Sequence, residues 1–424
     1  MKKIIGVFSF CMFVPSLALA KNLTFDLLAA LGESDNALKS DVDEVNEKQN
    51  RYTASLNGNW DKQWINANMQ YTAYREIYAD NSQDEQNYLQ GDSSLRFGNA
   101  NNLFNLDVRH SRRTLLKDIT ETPSNSNQEE REIFSVIPSA RFDLTSSDEL
   151  ILSADASRTR YLETEFKDSD RNVYGVDFQH GFSAVDRLNI RLSKTESDFV
   201  YFPQADYNLS SAVLVYSANL RKLSYSLGAG QEKTEPEFGE SQSSPHYEAS
   251  MSYISGQNQF RIFVDQSVTD SSFGQGLNLN NPATPGVDSA FDEIGLIDRK
   301  TSGIDVAREM TARSTLTLGV SKTDDEFVNS DAESTQLGGT ASLRYSFSPR
   351  ATLTLSHSLS DVEAIGFSLN DQYRQSFTRI SFRYQFFRSF DLELFREKEK
   401  RASDTGQQSY LENFTGMSLG YHFE

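Results

Sequence analysis

Charged side chains recur at alternate positions along short segments of this chain, and their types suit contact with a polar solute. Asp107 lies two residues before Arg109, and Arg141 lies two residues before Asp143. In an extended chain this spacing places both side chains of a pair on one face. Guanidinium and carboxylate groups along one face offer many weak, exchangeable contacts, which favour passage of a solute over tight retention.

The candidate lining residues all fall on the polar face of a predicted strand. They are Arg96, Asp107, Arg109, Arg113, Arg141, Asp143, Asp177, Arg191, Arg261, Asp265, Arg344, Arg379 and Arg383. Two interpretations stay open for them. They form a cross-strand network that keeps a wall rigid and hydrated, or they line a conduit for a polar solute or polymer. The two roles are compatible.

No pattern in the chain predicts catalysis, a metal site or a cofactor. The histidines are His110, His180, His246, His357 and His422, and none lies near a cysteine or another histidine. Their spacing excludes a helical metal motif. There is no glycine-rich phosphate loop, and no serine is distinguished as a nucleophile. We expect no enzyme activity.

The elements that must position these residues are amphipathic strands. The last of them places apolar side chains on one face and small or polar ones on the other: Met417, Leu419, Tyr421 and Phe423 against Gly416, Ser418, Gly420 and His422. About twenty such strands follow one another with no helical stretch between them. This predicts an all-β, antiparallel, up-and-down transmembrane barrel, with lipid outside and water inside.

The predicted lipid face consists of apolar residues at alternate positions. It includes Phe104, Leu106, Val108, Phe134, Val136, Ala140, Phe142, Leu188, Ile190, Leu192, Leu353, Leu355, Ile380, Phe382, Tyr384 and Phe386. The arginines fall in the opposite register. An arginine on the lipid face near the midplane would cost about 2–4 kcal/mol, so a slip of one residue is disfavoured.

Nine short turns separate the predicted hairpins. They lie at Asp61–Gln63, Ala100–Asn102, Ser146–Asp148, Ala184–Asp186, Arg221–Lys222, Gln257–Asn258, Thr311–Arg313, Pro349–Arg350 and Arg388–Ser389. Nine turns join ten hairpins, which gives about twenty strands with both termini on the periplasmic side. Eighteen strands is the alternative, because Asn87–Asn99 and Ile294–Met310 have weak strand patterns.

Residues 1–20 have the pattern of a secretory signal peptide. Lys2 and Lys3 precede a short apolar core, and Ala18-Leu19-Ala20 forms a cleavage site. We therefore expect an exported chain whose residues 21–424 form a single barrel domain. The one cysteine, Cys11, lies within the signal, so the mature chain has no disulfide.

Composition excludes some classes of protein. The net charge of −19 does not suit nucleic-acid binding. A mean hydropathy of −0.54 would by itself indicate a soluble protein, but barrel strands expose only alternate residues to lipid. A soluble β-sandwich would need domain boundaries, and a solenoid would need a stricter repeat, and neither feature is present.

The longest loop, Gly274 to Glu293, is too short for a domain. We consider two placements for it. It lies on the surface, which the sequence favours, or it folds into the lumen as a constriction.

The chain resembles β-barrel porins of Gram-negative bacteria that accompany exopolysaccharide loci. The resemblance rests on the first strand, Leu23-Thr-Phe-Asp-Leu-Leu-Ala-Ala-Leu-Gly-Glu33, on turn-Arg-x-x-Leu-x-Leu units such as Arg350-Ala-Thr-Leu-Thr-Leu355, and on the closing strand Gly416–Phe423. It implies an outer-membrane exit for polysaccharide, with a periplasmic polysaccharide-export protein as partner. Glu424 departs from the pattern, since such barrels usually end on the aromatic residue.

Two functions follow as expectations. The first is an outer-membrane export channel for an exopolysaccharide or capsular polysaccharide, and the alternative is a general or small-solute diffusion porin. Both require outer-membrane lipid around the barrel, and neither requires nucleic acid. We expect no plug domain of an energised receptor, because the first strand begins directly after the signal.

Overall fold

The protein is described here by a computed structural model covering residues 23–98, 103–118, 121–272, 288–289, 295–328, 330–366, 371–404 and 408–423. The predicted signal peptide, residues 1–20, lies outside the described residues. No helix within these ranges is long and apolar enough to cross a bilayer.

The described chain is almost entirely strand. The strands are β1 (Leu23–Ser34), β2 (Glu47–Lys62), β3 (Ile65–Tyr78), β4 (Gln86–Phe97), β5 (Phe104–Leu116), β6 (Gln128–Asp143), β7 (Asp148–Tyr161), β8 (Ser169–Gly181), β9 (Asp186–Phe199), β10 (Tyr207–Asn219), β11 (Leu223–Pro236), β12 (Gln242–Ser255), β13 (Asn258–Asp270), β14 (Asp288–Ser289), β15 (Leu296–Thr311), β16 (Ser314–Phe327), β17 (Glu333–Ser348), β18 (Ala351–Ile365), β19 (Asp371–Gln385), β20 (Phe390–Ser403) and β21 (Tyr410–Phe423). The described parts of the loops contain three single-turn 3-10 helices, at Asn125–Asn127, Glu165–Lys167 and Pro203–Ala205.

All strands except β14 form one closed antiparallel barrel. Each pairs with its neighbours along the chain, and β1 pairs with β21 from Phe25↔Phe423 to Ser34↔Phe414. The two weakly patterned segments are strands β4 and β15. The prediction of a twenty-stranded antiparallel barrel is therefore confirmed, and the eighteen-stranded alternative is wrong.

The connections alternate between short and long, as predicted. Eight of the nine predicted turns lie at or beside observed strand ends, and the ninth, Ala100–Asn102, lies outside the described residues. The short turns share one end of the barrel with the start of β1 and the end of β21. By the usual orientation of such barrels this is the periplasmic end.

The outer face carries an apolar belt with a charged border. Ile190 and Leu192 on β9 are 41% and 48% exposed, as the predicted lipid face requires. Further toward the long loops the outward positions become ion pairs, with 2.5 Å between Lys194 and Glu196 and 2.7 Å between Lys322 and Asp324. Charges are costly in hydrocarbon, so the extracellular limit of the belt lies below these pairs.

The barrel wall parts between β12 and β13 near its extracellular end. Their pairing stops at Tyr247↔Gln266. Above this point β13 leaves β12 and turns inward, so that Val268 packs against Tyr207 and Leu209 on the inner face of β10. On the edge of β13 that no longer pairs with β12, the Val268 N–H still has a hydrogen-bond acceptor. It donates to the Glu232 carboxylate at 2.6 Å.

A second parting lies between β4 and β5. Their pairing stops at Gly91↔Arg112. Gly91 is needed there, because a Cβ would lie 2.2 Å from the Gln70 carbonyl oxygen. Above it the Leu89 N–H donates to the Glu130 carboxylate at 2.7 Å instead of to β5. The two partings let the upper parts of β5 and β13 fold inward while the lower wall stays continuous.

The two faces give a direct test of the register. Leu343 and Ser342 are neighbours on β17, with Leu343 on the apolar belt and Ser342 lining the interior. Leu343→Arg should destabilise the barrel by about 2–4 kcal/mol because the guanidinium meets hydrocarbon. Ser342→Arg should cost much less. Urea titration of both variants in lipid measures the difference, and equal losses would contradict the assigned faces.

Candidate channel lumen

The barrel encloses a cavity of about 2090 Å³. It is lined by strands β1–β6, β13 and β15–β21, whereas no described residue of β7–β12 lines it. The cavity therefore occupies one side of the barrel.

The upper part of the other side is filled by the inward end of β13. Asp270 is fully buried and accepts a hydrogen bond from the Tyr207 hydroxyl. It also accepts bonds from the Ser272 N–H at 2.8 Å and the Ser272 hydroxyl at 2.6 Å. The Ser272 carbonyl in turn accepts from the Tyr161 hydroxyl at 3.2 Å and from Arg131 at 3.4 Å. These contacts fix the end of β13 against the inner faces of β6, β7 and β10.

The longest loop continues from this inward end. Only β14 is described within Gly274 to Glu293, and it pairs in parallel with Leu115–Leu116 of β5. β5 is not a neighbour of β13 in the barrel wall. The two placements considered for the rest of the loop, on the surface or folded into the lumen, concern residues outside the described ranges. β14 takes the edge that β5 presents once β4 has parted from it.

The predicted lining residues of β4 and β5 form a small ion-pair network. Arg96 binds both carboxylate oxygens of Asp107, at 2.8 and 2.9 Å. Arg109 lies 3.6 Å from the same carboxylate, and Arg113 donates to Asp92.

The predicted residues of β6, β8 and β9 have different partners from one another. Arg141 contacts Glu149 at 2.6 Å and Asp143 at 3.3 Å. Asp177 lies directly opposite Arg191 in the ladder. Arg191 nevertheless donates to Glu248 of β12 at 2.6 Å, three strands away.

The predicted residues of β19 meet acids from β20. Arg379 contacts Glu393 at 2.7 Å and also Glu397. Arg383 contacts Asp391 at 2.6 Å and the His422 imidazole at 2.8 Å. His422 also contacts Asp26 of β1 at 2.5 Å, so this group spans the closing pair of strands.

Two predicted arginines differ from the rest. Arg261 and Arg344 line the cavity, and neither has a carboxylate within ion-pair distance among the described residues. Arg261 instead lies 5.1 Å from the centre of the Phe263 ring. Asp265, on the same strand, accepts a hydrogen bond from Ser267 at 3.1 Å. Arg261 lies opposite Asp305 in the ladder but beyond ion-pair distance, and Arg344 lies opposite Thr315 and Thr354. Both guanidinium groups are therefore available to a solute in the cavity.

Sequence reasoning missed a charged cluster above the apolar belt. Arg51 contacts Glu76 at 2.6 Å and Glu397 at 3.1 Å, and its guanidinium lies 3.9 Å from the centre of the Phe414 ring. The alternation along β2 and β3 places Arg51 and Glu76 inward, but only the ladder shows that they meet.

The first extracellular loop joins this cluster through Lys39. Its ammonium lies 2.9 Å from Glu399 and 3.8 Å from Glu412. Burial alone would lower the pKa of Lys39, but the negative charges of Glu399 and Glu412 outweigh it and raise the pKa above its ordinary value. The loop is therefore held to the wall by a charged lysine.

Arg51 and Arg96 each form an ion pair through the guanidinium group, but the Arg51 side chain is more buried than that of Arg96. Arg51→Ala should cost about 3 kcal/mol, because it leaves the buried Glu76 carboxylate without a countercharge. Arg96→Ala should cost about 0–1 kcal/mol, because the Arg96 side chain is 53% exposed. Urea unfolding of the two variants provides the comparison, and equal costs would contradict it.

Solved structures with a similar fold are outer-membrane barrels. The siderophore receptor PirA from Acinetobacter baumannii has a TM-score of 0.50 and 9% identity, over 95% of this chain and 81% of that one. OccK1 from Pseudomonas aeruginosa has a TM-score of 0.39 and 11% identity, over 95% and 99% of the two chains. No protein-family model matches the chain, and no curated protein matches it in sequence. At such low identity the likeness shows the barrel fold alone.

Proposed function

We propose that the protein is an outer-membrane diffusion channel for small polar solutes, with a preference for anions. One observation carries this proposal: the cavity is lined by Arg261 and Arg344, which form no ion pair among the described residues, while the other predicted arginines do. Cations that form no ion pair in a polar passage raise the local concentration of anions. The engaged arginines keep the wall rigid.

Polysaccharide export, the first expectation from the sequence, is less well supported. An extended polymer needs a passage free along the whole barrel, and here the end of β13 fills one side of the extracellular half. The polysaccharide and its export-protein partner rest on the sequence resemblance. Small solutes need only the remaining side.

Conductance of the refolded chain in planar bilayers tests the proposal. A diffusion channel should give steady steps, and a gradient of potassium chloride should give a reversal potential of the sign expected for anions. A silent or cation-preferring barrel would contradict the proposal. Deletion of the gene separates the two functions, because polymer retained in the cell envelope would indicate export.

A further inference from the structure

Strand pairing brings together three side chains of types that bind metal ions, just below the point where β12 and β13 separate. His246 and Glu248 lie on β12 and Asp265 on β13, with Glu248 directly opposite Asp265. One ligand atom from each lies within 4.8 Å of the others. The spacing of the histidines along the chain predicted no metal site. Ligands that only strand pairing brings together leave no such spacing in the sequence.

The His246 ring is already held in the orientation that a metal ligand needs. Its Nδ1 lies 3.1 Å from a carboxylate oxygen of Glu232. Glu232 is itself fixed, because it is buried and its other oxygen accepts the Val268 N–H. Metal-binding histidines commonly donate one ring N–H to a carboxylate in this way, which leaves the other nitrogen to bind the ion.

The second ring nitrogen points toward the acids. The Nε2 of His246 is buried and has no hydrogen-bond partner among the described residues. It lies 3.7 Å from the nearest Glu248 oxygen, which is too far for a hydrogen bond. A buried ring nitrogen without a partner is costly, and an ion between it and the acids would satisfy both.

The chain makes room for the Glu248 carboxylate. Its side chain lies over Gly228 of β11, where a Cβ would come within 2.5 Å of the Glu248 Cγ. Arg191 contacts one oxygen of Glu248 at 2.6 Å and competes with any ion for that carboxylate.

We propose that His246, Glu248 and Asp265 bind a divalent first-row transition ion, with Zn²⁺ as the natural probe. One imidazole nitrogen and two carboxylates suit this class, whereas Mg²⁺ and Ca²⁺ prefer oxygen ligands alone. Three protein ligands leave one coordination position open toward the lumen. Glu232 acts as a positioning residue. The ion would join β12 to β13 where their ladder ends.

Zn²⁺ titration of the refolded full-length chain in detergent, after chelator treatment, tests the site. Isothermal calorimetry should give one equivalent of Zn²⁺ for the native sequence. His246→Ala and Asp265→Asn should each weaken binding at least ~10-fold, and Glu232→Gln about 10-fold. His110→Ala is the matched control, because its two ring nitrogens contact Tyr71 and Glu132 on the outer face, and it should leave binding unchanged.

The Arg191→Gln variant distinguishes metal binding by Glu248 from a purely structural role of that carboxylate. Because it frees the Glu248 carboxylate and removes a nearby positive charge, it should tighten Zn²⁺ binding. Less than a tenth of an equivalent bound by a folded native barrel would overturn the proposal. So would equal affinities for the His246 and His110 variants.

Discussion

Asp270→Ala is expected to raise the single-channel conductance several-fold. Asp270 is fully buried and accepts from the Tyr207 hydroxyl and from both the N–H and the hydroxyl of Ser272. Hydrogen bonds to a charged group contribute about 1.5–3 kcal/mol each. Their loss removes the Tyr207 contact to β10 and the local bonds that orient the Ser272 carbonyl toward Tyr161 of β7. The end of β13 should leave the inner faces of β7 and β10.

Planar-bilayer recordings measure the change, and Glu196→Ala is the control. Glu196 is an acid on the outward face, paired with Lys194, and its loss should leave conductance unchanged. Heat-modifiable migration on a gel shows that the variant barrel is folded. A folded Asp270→Ala barrel with native conductance would contradict the role assigned to the β13 end.

The double variant Arg261→Glu, Arg344→Glu is expected to invert the ion preference. Each change replaces a cation that lines the cavity with an anion, so the field along the passage changes sign. The reversal potential under a potassium chloride gradient should move from the anion side to the cation side. Each single variant should give an intermediate value.

Arg75→Glu is the matched control for this inversion. It makes the same change of charge, but Arg75 pairs with Glu85 near the extracellular loops and, by its ladder position opposite Tyr52, lies on the outward face. Its reversal potential should stay native. If the control moves as much as the double variant, the effect comes from overall charge and not from the lumen.

The alternation of side chains was sufficient to predict most of the fold. Ile190 and Leu192 were assigned to lipid and are exposed, and the turns set the strand count. Alternation could not predict the two partings. Val268 continues the outward register of β13, yet it packs on the inner face of β10 because its strand has left β12.

The pairing of charges was also beyond the sequence. Arg191 faces Asp177 across the ladder but binds Glu248, because a long side chain can reach past small residues such as Gly228. His246 and Asp265 meet only through the register of β12 and β13. Such contacts depend on the curvature of the sheet and not on spacing along the chain.

The pairing of β1 with β21 has a consequence for assembly. Contacts such as His422 with Asp26 join residues 396 positions apart, which is the least local kind of contact a chain can make. Forming them carries a large loop-closure entropy, so closure should be the slow, late step of folding. Until then two unpaired edges persist, and each is a template for pairing with another molecule. A chaperone that shields β1 would therefore raise the yield of folded barrel more than any substitution that stabilises the closed barrel wall.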